Sequence, residues 1–185
     1  MERLHDYVLY IMMFPQLIAG PIVRYCDIEQ EIRHRNYDWN EALQGFYRFI
    51  IGLSKKILIS DVIGIQVDKM LAGDIAMMDS TTAWITIIGY TMQLYFDFSG
   101  YSDMAIGLGK IMGFHFPENF DNPYNSSSIT EFWRRWHMTL GAFMRNYLYI
   151  PLGGNRKGKS RWMLNIFIVW AATGIWHGAS FNFLL

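Results

Sequence analysis

The chain is poor in cysteine and lacks the short motifs of several common enzyme classes. Its single cysteine, Cys26, cannot form a disulfide within the chain. None of the five histidines belongs to an HxxxH pair and there is no CxxC pair, so the usual spacings of a zinc site are missing. The chain also has no GxGxxG dinucleotide fingerprint and no GxSxG serine-nucleophile motif. We therefore expect neither a disulfide-stabilised fold nor a serine hydrolase, and no metal cofactor.

The overall charge balance favours neither sign. Sixteen Lys and Arg residues offset sixteen Asp and Glu residues, which gives a formal net charge of zero at pH 7. A nucleic-acid-binding surface needs an excess of basic charge to neutralise phosphates. We therefore expect no nucleic-acid partner.

Aromatic residues, by contrast, are abundant. They make up 17% of the chain, with seven Trp and eleven Tyr residues, and hydrophobic residues make up 52%. Trp and Tyr concentrate where a bilayer meets water, because one end of each side chain is apolar and the other is polar. The composition therefore favours a protein in contact with membrane lipids.

Long apolar segments alternate with polar stretches along the chain. Segment 7–23 is interrupted by Pro15 and Pro21, which predicts a broken helix. Segments 81–95 and 162–185 are the clearest candidates for membrane-spanning helices, which need about 20 residues. The chain ends inside the second of these, so we expect a fragment whose flanking spans are missing. Three polar stretches are predicted as loops: 24–41, 69–80 and 114–128.

Charged residues occur inside two of the apolar regions. Segment 44–67 carries Arg48, Lys55 and Lys56, and charges at the centre of a membrane span are costly, so an interfacial or re-entrant helix is favoured. Asp97 and Asp103 follow directly on segment 81–95. We expect these carboxylates to cap the helix or to pair with buried donors, with a proton path as the alternative.

A helix start and a basic loop are predicted in the last third of the chain. Ser128 and Glu131 form a capping box. Apolar residues then recur at three- or four-residue spacing as far as Leu148, which predicts one amphipathic helix at the membrane surface. The loop 151–161 contains four basic residues, and the positive-inside rule places such a loop on the cytoplasmic side.

Two histidines are candidates for chemistry. His177 lies inside the apolar segment 162–185, where we expect deep burial to hold its imidazole neutral and able to accept a proton. Acyl transfer to a hydroxyl needs such a base, although a core histidine bonded to a carbonyl is the alternative. His137 lies among aromatic residues on the amphipathic helix, and its position alone favours a structural role.

Six stretches resemble the membrane-bound O-acyltransferase family, in particular its bacterial alginate O-acetylation branch. They occur in the order of the family and cover nearly the whole chain. They are FPQLIAGPIVR at 14–24, YFDFSGYSD at 95–103, NFDNPY at 119–124, FWRRWH at 132–137, YIPLGG at 149–154 and WHG at 176–178.

The resemblance implies an all-α polytopic membrane protein whose transmembrane and interfacial or re-entrant helices surround a central tunnel. Residues 1–185 would form part of that membrane domain, in the inner membrane of a bacterial cell. His177 matches the catalytic histidine of the family, and His137 matches its second histidine, which reverses the structural interpretation given to His137 above.

The resemblance also implies a reaction. A cytoplasmic thioester, acetyl-CoA or alternatively an acyl carrier protein, would donate the acyl group near the loop 156–161. His177 would act as general base on a hydroxyl, and His137 would orient the acceptor or donate to the oxyanion. A periplasmic acetyltransferase partner would carry the acetyl group to an exopolysaccharide acceptor.

Two alternatives stay open. One is the related branch that transfers D-alanine from a carrier protein to teichoic acid and shares the two-histidine framework. The other is a non-catalytic membrane channel or scaffold, in which the buried His and Asp residues serve an ion path. A channel would consume no thioester.

Overall fold

The computed structural model describes residues 4–17, 20–73 and 75–178, and every regular element within these ranges is helical. The prediction of an all-α chain is therefore confirmed for these ranges. The chain divides into two compact units, 1–121 and 122–185. The helices of the first unit are α1 (Leu4–Ile11), α2 (Tyr25–Arg33), α3 (Trp39–Ser54), α4 (Asp61–Leu71) and α5 (Ser80–Ile111).

Two of the predicted breaks between helical segments are confirmed in the first unit. Helix α1 ends at Ile11, and a short 3-10 turn at Phe14–Gln16 follows it around Pro15. Between α4 and α5 lies a connection that contains a second 3-10 turn, Ile75–Met77. Ile18 and Ala19 of the first apolar segment lie outside the described residues.

The centre of the first unit is the pairing of α3 with α5. A π-helical turn, Lys55–Ser60, joins α3 to α4, so the segment 44–67 is helical throughout. Two glycine pairs lie where the helices approach most closely. A Cβ atom added at Gly45 would lie 2.6 Å from the carbonyl oxygen of Gly107, and one added at Gly52 would lie 2.5 Å from that of Gly100. No side chain fits at these positions, so the backbones themselves are in contact.

The cations of α3 and of the π-helical turn pair with the carboxylates of α5. Asp103 accepts hydrogen bonds from Arg48 at 2.9 Å and from Lys55 at 2.6 Å. Asp97 pairs with Lys56 at 2.6 Å. The prediction that these carboxylates pair with buried donors is confirmed in part. The side chain of Asp103 is only 14% exposed, whereas the paired side chains of Asp97 and Lys56 are 49% and 40% exposed.

The prediction of a loop over 24–41 is wrong, because α2 occupies half of this segment and α3 begins within it at Trp39. The backbone N–H of Arg24 and its guanidinium both donate to the Asp27 carboxylate at 3.0 Å, which caps the helix. The side chain of Ile28 is fully buried in the core of the unit. Ile28 and Ile32 are four residues apart on a nine-residue helix that is mostly polar, and this pattern is too short to reveal it.

The polar segment after α5 is fixed by a histidine that the sequence left without a role. His115 contacts the carboxylates of Glu31 at 2.6 Å and Glu41 at 3.1 Å. Hydrogen bonding to these carboxylates, Glu31 first, raises the pKa of His115. The ring therefore links α2 and α3 to this segment when it is protonated.

Within the ranges 4–17, 20–73 and 75–178, we find no helix that combines the length and apolar composition needed to cross a membrane. The spanning helices expected at 81–95 and 162–185 are therefore not found in these ranges, although 81–95 and 162–177 are helical.

The second unit contains α6 (Ile129–Arg135), α7 (Met138–Met144), a π-helical turn (Arg145–Tyr149) and α8 (Lys159–His177). Ser128 caps α6 by accepting from the backbone N–H of Glu131 at 3.1 Å, as the capping box predicts. The prediction of one unbroken amphipathic helix as far as Leu148 is wrong. Trp136 is extended and His137 is left-handed, with φ 43° and ψ 54°, so the chain turns between α6 and α7.

The basic loop is a turn built on glycine. Gly153, Gly154 and Gly158 have φ of 103°, 55° and 83°, values that L side chains rarely adopt. Asn165 of α8, fully buried, donates from Nδ2 to the carbonyl of Gly154 at 2.8 Å and holds the turn against the helix.

The same turn carries the GxxxxGKS spacing of a P-loop between Gly153 and Ser160. A P-loop joins a strand to a helix, whereas here a π-helical turn precedes the glycines. The structural context of a nucleotide site is therefore missing, and the match carries no such site.

Candidate functional site

A cavity of about 340 Å³ lies within the second unit, between the α6–α7 segment and α8. Its walls are aromatic and aliphatic for the most part, with two imidazoles and one guanidinium among them. The residues that line it are Trp133, Trp136, His137, Leu140, Gly141, Met144, Arg145, Tyr149, Val169, Trp170, Thr173 and His177.

His177 lies on the last turn of α8 and faces this cavity. Its Nδ1 lies 2.8 Å from the carbonyl oxygen of Thr173, one helical turn earlier. A carbonyl can only accept, so in the neutral ring the proton is on Nδ1 and Nε2 keeps its lone pair. The helix therefore holds the imidazole in the tautomer that a general base requires.

The expectation of deep burial for His177 is wrong within the described residues, because its side chain is exposed. The ring lies at the end of α8, where the edge of Trp176 packs on it with ring centroids 5.0 Å apart. Residues 179–185, the remainder of the last apolar segment, lie outside the described residues. What keeps His177 ready for proton transfer here is thus its hydrogen bond to Thr173 and not burial.

His137 is the buried histidine of the site, with only 6% of its surface exposed. Burial in the aromatic surroundings lowers its pKa to about 4, and the nearby His177 acts in the same direction. His137 is therefore neutral at pH 7 and carries one ring N–H donor. Its left-handed backbone places the ring beside the cavity just before α7 begins.

The structure brings the two predicted site residues together. Both rings line the same cavity, and the indole of Trp176 contacts both, with its centroid 6.2 Å from that of His137 and 5.0 Å from that of His177. Two imidazoles that line one cavity can take different roles in acyl transfer, one accepting a proton and the other donating a hydrogen bond. Asp97 and Asp103, the other candidates, belong to the first unit, where cations neutralise them.

Aromatic rings shape the rest of the cavity. Trp133 of α6 meets Trp170 of α8 edge to face, with ring centroids 4.9 Å apart, and both indoles line the cavity. Trp136 stacks on Phe132 at 5.6 Å. These rings join α6 to α8 and provide flat apolar surfaces next to the histidines.

Three polar lining residues were missed from the sequence: Arg145, Tyr149 and Thr173. A signal existed for Thr173, since residues four apart lie on one face of a helix and His177 is its partner at that spacing. Arg145 and Tyr149 are the first and last residues of the π-helical turn, which no sequence pattern used above reveals. Among the described residues, no group of three His, Cys, Asp or Glu side chains could hold a metal ion.

Comparison with known proteins places this chain in a family. The profile of the membrane-bound O-acyltransferase (MBOAT) family matches residues 3–185. The chain is 47% identical over its whole length to the probable alginate O-acetylase AlgI of Pseudomonas putida, of which it covers 38%. It is 44% identical to the peptidoglycan O-acetyltransferase of Helicobacter pylori, with 97% of this chain and 34% of that protein aligned.

A more distant relative is the teichoic acid D-alanyltransferase of Bacillus subtilis, which is 30% identical over 98% of this chain and 48% of that protein. The chain thus spans less than half the length of each of these three relatives. The family profile nevertheless covers all but the first two residues, and the six stretches noted in the sequence lie within the match. This chain therefore belongs to the membrane-bound O-acyltransferase family.

Proposed function

We propose that the chain is part of the catalytic domain of a membrane O-acyltransferase that moves an acetyl group from a thioester to a hydroxyl, for O-acetylation of an exopolysaccharide. The observation that carries this proposal is the pair of histidines on one aromatic cavity, one with its accepting nitrogen set by Thr173 and the other buried and neutral. The names of the relatives, an alginate O-acetylase and a peptidoglycan O-acetyltransferase, support acetyl transfer to polysaccharides.

In this mechanism His177 is the general base. Its Nε2 takes the proton of the acceptor hydroxyl while the oxygen bonds to the thioester carbonyl carbon. The carbon–sulfur bond then breaks, and the thiolate leaves with the proton that the imidazole returns. The bond from Nδ1 to the Thr173 carbonyl keeps the ring oriented and stabilises the imidazolium that forms in between.

His137 has a different task because it is buried and neutral. Its single N–H can donate to the oxyanion that develops on the thioester carbonyl, or it can orient the acceptor hydroxyl. A donor held in an apolar wall is stronger than one in water, since little solvent screens it.

We further propose that the intact protein is a multi-pass protein of the bacterial inner membrane with a central tunnel. The thioester, acetyl-CoA or an acyl carrier protein, would approach from the cytoplasm beside the basic turn, and a periplasmic acetyltransferase would act as a partner in acetylation of the polysaccharide. The four basic residues of 156–161 support this orientation, since all four are exposed.

The orientation predicts which side of the membrane the basic turn faces. A cysteine introduced at Lys157, in a background where Cys26 is replaced by Ser, is expected to react with a membrane-impermeant maleimide only after the inner membrane is opened. The same chain with Cys26→Ser alone controls for background labelling. Labelling from the periplasmic side in cells with an intact inner membrane would contradict the orientation.

Thioester consumption tests the function itself. We expect the intact protein in proteoliposomes to release free thiol from acetyl-CoA or from an acetylated carrier protein when an acceptor is present. Transfer from a D-alanyl carrier protein instead would favour the alternative function, D-alanyl transfer to teichoic acid, which the name of the B. subtilis relative supports. A protein that consumes none of these thioesters, in the presence of its partners, would act as a channel or scaffold and the proposal would fail.

A further inference from the structure

One charged residue of the cavity is not explained by the two histidines. Arg145 lines the cavity, and its guanidinium donates to the neutral side-chain oxygen of its neighbour Asn146 at 3.3 Å. Among the residues that the structure describes, Arg145 has no salt bridge, and no carboxylate is among the side chains that line the cavity. By contrast, Arg135 in the same unit is paired with Glu131 at 2.8 Å.

A guanidinium that has no carboxylate partner among the described residues can bind an anion. Arg keeps its charge at any physiological pH and presents a planar fork that matches the two oxygens of a carboxylate or phosphate. Arg145 is exposed, so a substrate that enters the cavity can contact its guanidinium. The cavity thus offers one fixed positive charge beside two imidazoles, and no carboxylate of the described residues is among its lining side chains.

The backbone at Arg145 supports a binding role. The helix widens here into a π-helical turn, in which the N–H of Ile150 donates to the carbonyl of Arg145 at 2.9 Å. Such turns are rare and occur frequently at functional sites. Arg145 and Tyr149, its two ends, both face the cavity, and the carbonyl of Tyr149 accepts from Gly154 at 2.9 Å. The basic turn is therefore bonded to the same short segment that presents the guanidinium.

We propose that Arg145 binds an anionic oxygen group, a carboxylate or a phosphate, of a substrate held in this cavity next to His137 and His177. The proposal deepens the function proposed above and rests on it for the identity of the substrates. The anion has two possible sources, the phosphates of the thioester donor and a carboxylate of the sugar acceptor. In either case Arg145 is a positioning residue that fixes the substrate while the histidines carry out the transfer.

The variants Arg145→Gln and Arg145→Lys test this site in the intact protein, with Arg134→Gln as the matched control. Arg134 is an exposed arginine of α6 that does not line the cavity, so its loss changes the net charge equally. Transfer is measured with acetyl-CoA and with a short neutral acetyl thioester, each with a carboxylate-bearing and a neutral oligosaccharide. Arg145→Gln is expected to raise KM for the anionic substrate about 10- to 100-fold, with partial recovery in Arg145→Lys.

The four combinations identify the source of the anion. If the donor phosphates bind Arg145, the increase in KM caused by Arg145→Gln disappears with the neutral thioester. If the acceptor carboxylate binds there, that increase disappears with the neutral oligosaccharide. The same increase in KM in all four combinations would show a structural role for Arg145 and overturn the proposal. The same increase in Arg134→Gln as in Arg145→Gln would also overturn it.

Binding without turnover separates this proposal from the function on which it rests. The affinities of CoA and of the carboxylate-bearing oligosaccharide are measured at equilibrium for the parent protein and for Arg145→Gln. A 10- to 100-fold weaker affinity for one of them supports the anion site even if no acyl transfer is found. Unchanged affinity for both would overturn the anion site even if acyl transfer is confirmed.

Discussion

Replacing His177 by glutamine is expected to lower acyl transfer by about 10²–10⁴-fold, the usual contribution of a general base. Glutamine keeps a polar side chain that can still donate to the Thr173 carbonyl at the position where Nδ1 now does. It cannot take up a proton, so the step that forms the new carbon–oxygen bond loses its base. Single-turnover transfer in proteoliposomes, with the amount of inserted protein measured in parallel, gives the rate.

The control for this variant is His34→Gln. His34 is an exposed histidine at the end of α2 in the first unit, so the same exchange there tests the loss of a histidine as such. We expect His34→Gln to transfer at the parent rate. Transfer at the parent rate by His177→Gln would refute the general-base role. Loss of folded protein in both His177→Gln and His177→Ala would instead assign His177 a structural role.

Replacing His137 is expected to lower transfer by about 10²–10³-fold, as loss of one oxyanion donor does. The left-handed backbone conformation of His137 limits which residues can replace it without strain. Asn is one of the few residues that tolerate a left-handed conformation, whereas Ala there costs roughly 1–2 kcal/mol. We therefore expect His137→Ala, which keeps no donor, to show this full loss, with His137→Asn the more stable of the two and both inserted in the membrane. Parent activity in His137→Ala would return this residue to a structural role.

The pH dependence of stability provides a second readout for His137. Its folded-state pKa of about 4 lies below the unfolded value of about 6.5, so between these values the unfolded chain binds the additional proton. The contribution of His137 to the free energy of unfolding is therefore highest above pH 6.5. It falls by about 3 kcal/mol as the pH drops from 6.5 toward 4. The difference in thermal unfolding between pH 7 and pH 4.5 should be smaller in His137→Asn than in the parent. An unchanged difference would show that the ring is not buried in the intact protein.

In the second unit a local rule located the start of α6 but not the break that follows it. The capping box at Ser128 was sufficient to place the start of α6, because a cap depends on neighbouring residues alone. The break at His137 followed from no such rule. The apolar periodicity runs through it without a gap, and no Gly or Pro marks the turn. The left-handed residue there depends on packing between α6, α7 and α8, which a periodic pattern does not encode.

The cost of burying charge was the more reliable guide in the first unit. It predicted that Asp97 and Asp103 would cap the helix or pair with buried donors, and the lysines of the π-helical turn pair with both, although the Asp97 pair is exposed. The same reasoning gave too much weight to burial at His177, whose ring is held by a helix carbonyl in an exposed position. A single histidine in an apolar run indicates that the residue has a partner, but it does not say whether that partner lies in its own helix.

The two glycine contacts between α3 and α5 also determine how the lengths of these helices can vary. Gly45 and Gly52 are seven residues apart, as are Gly100 and Gly107, so the two contacts lie two helical turns from each other on both helices. One residue inserted between Gly45 and Gly52 would rotate everything after it by about 100°. A residue with a side chain would then face the carbonyl of Gly100, and Lys55 would turn away from Asp103. We therefore expect this stretch to tolerate many substitutions but no insertion or deletion shorter than two full turns.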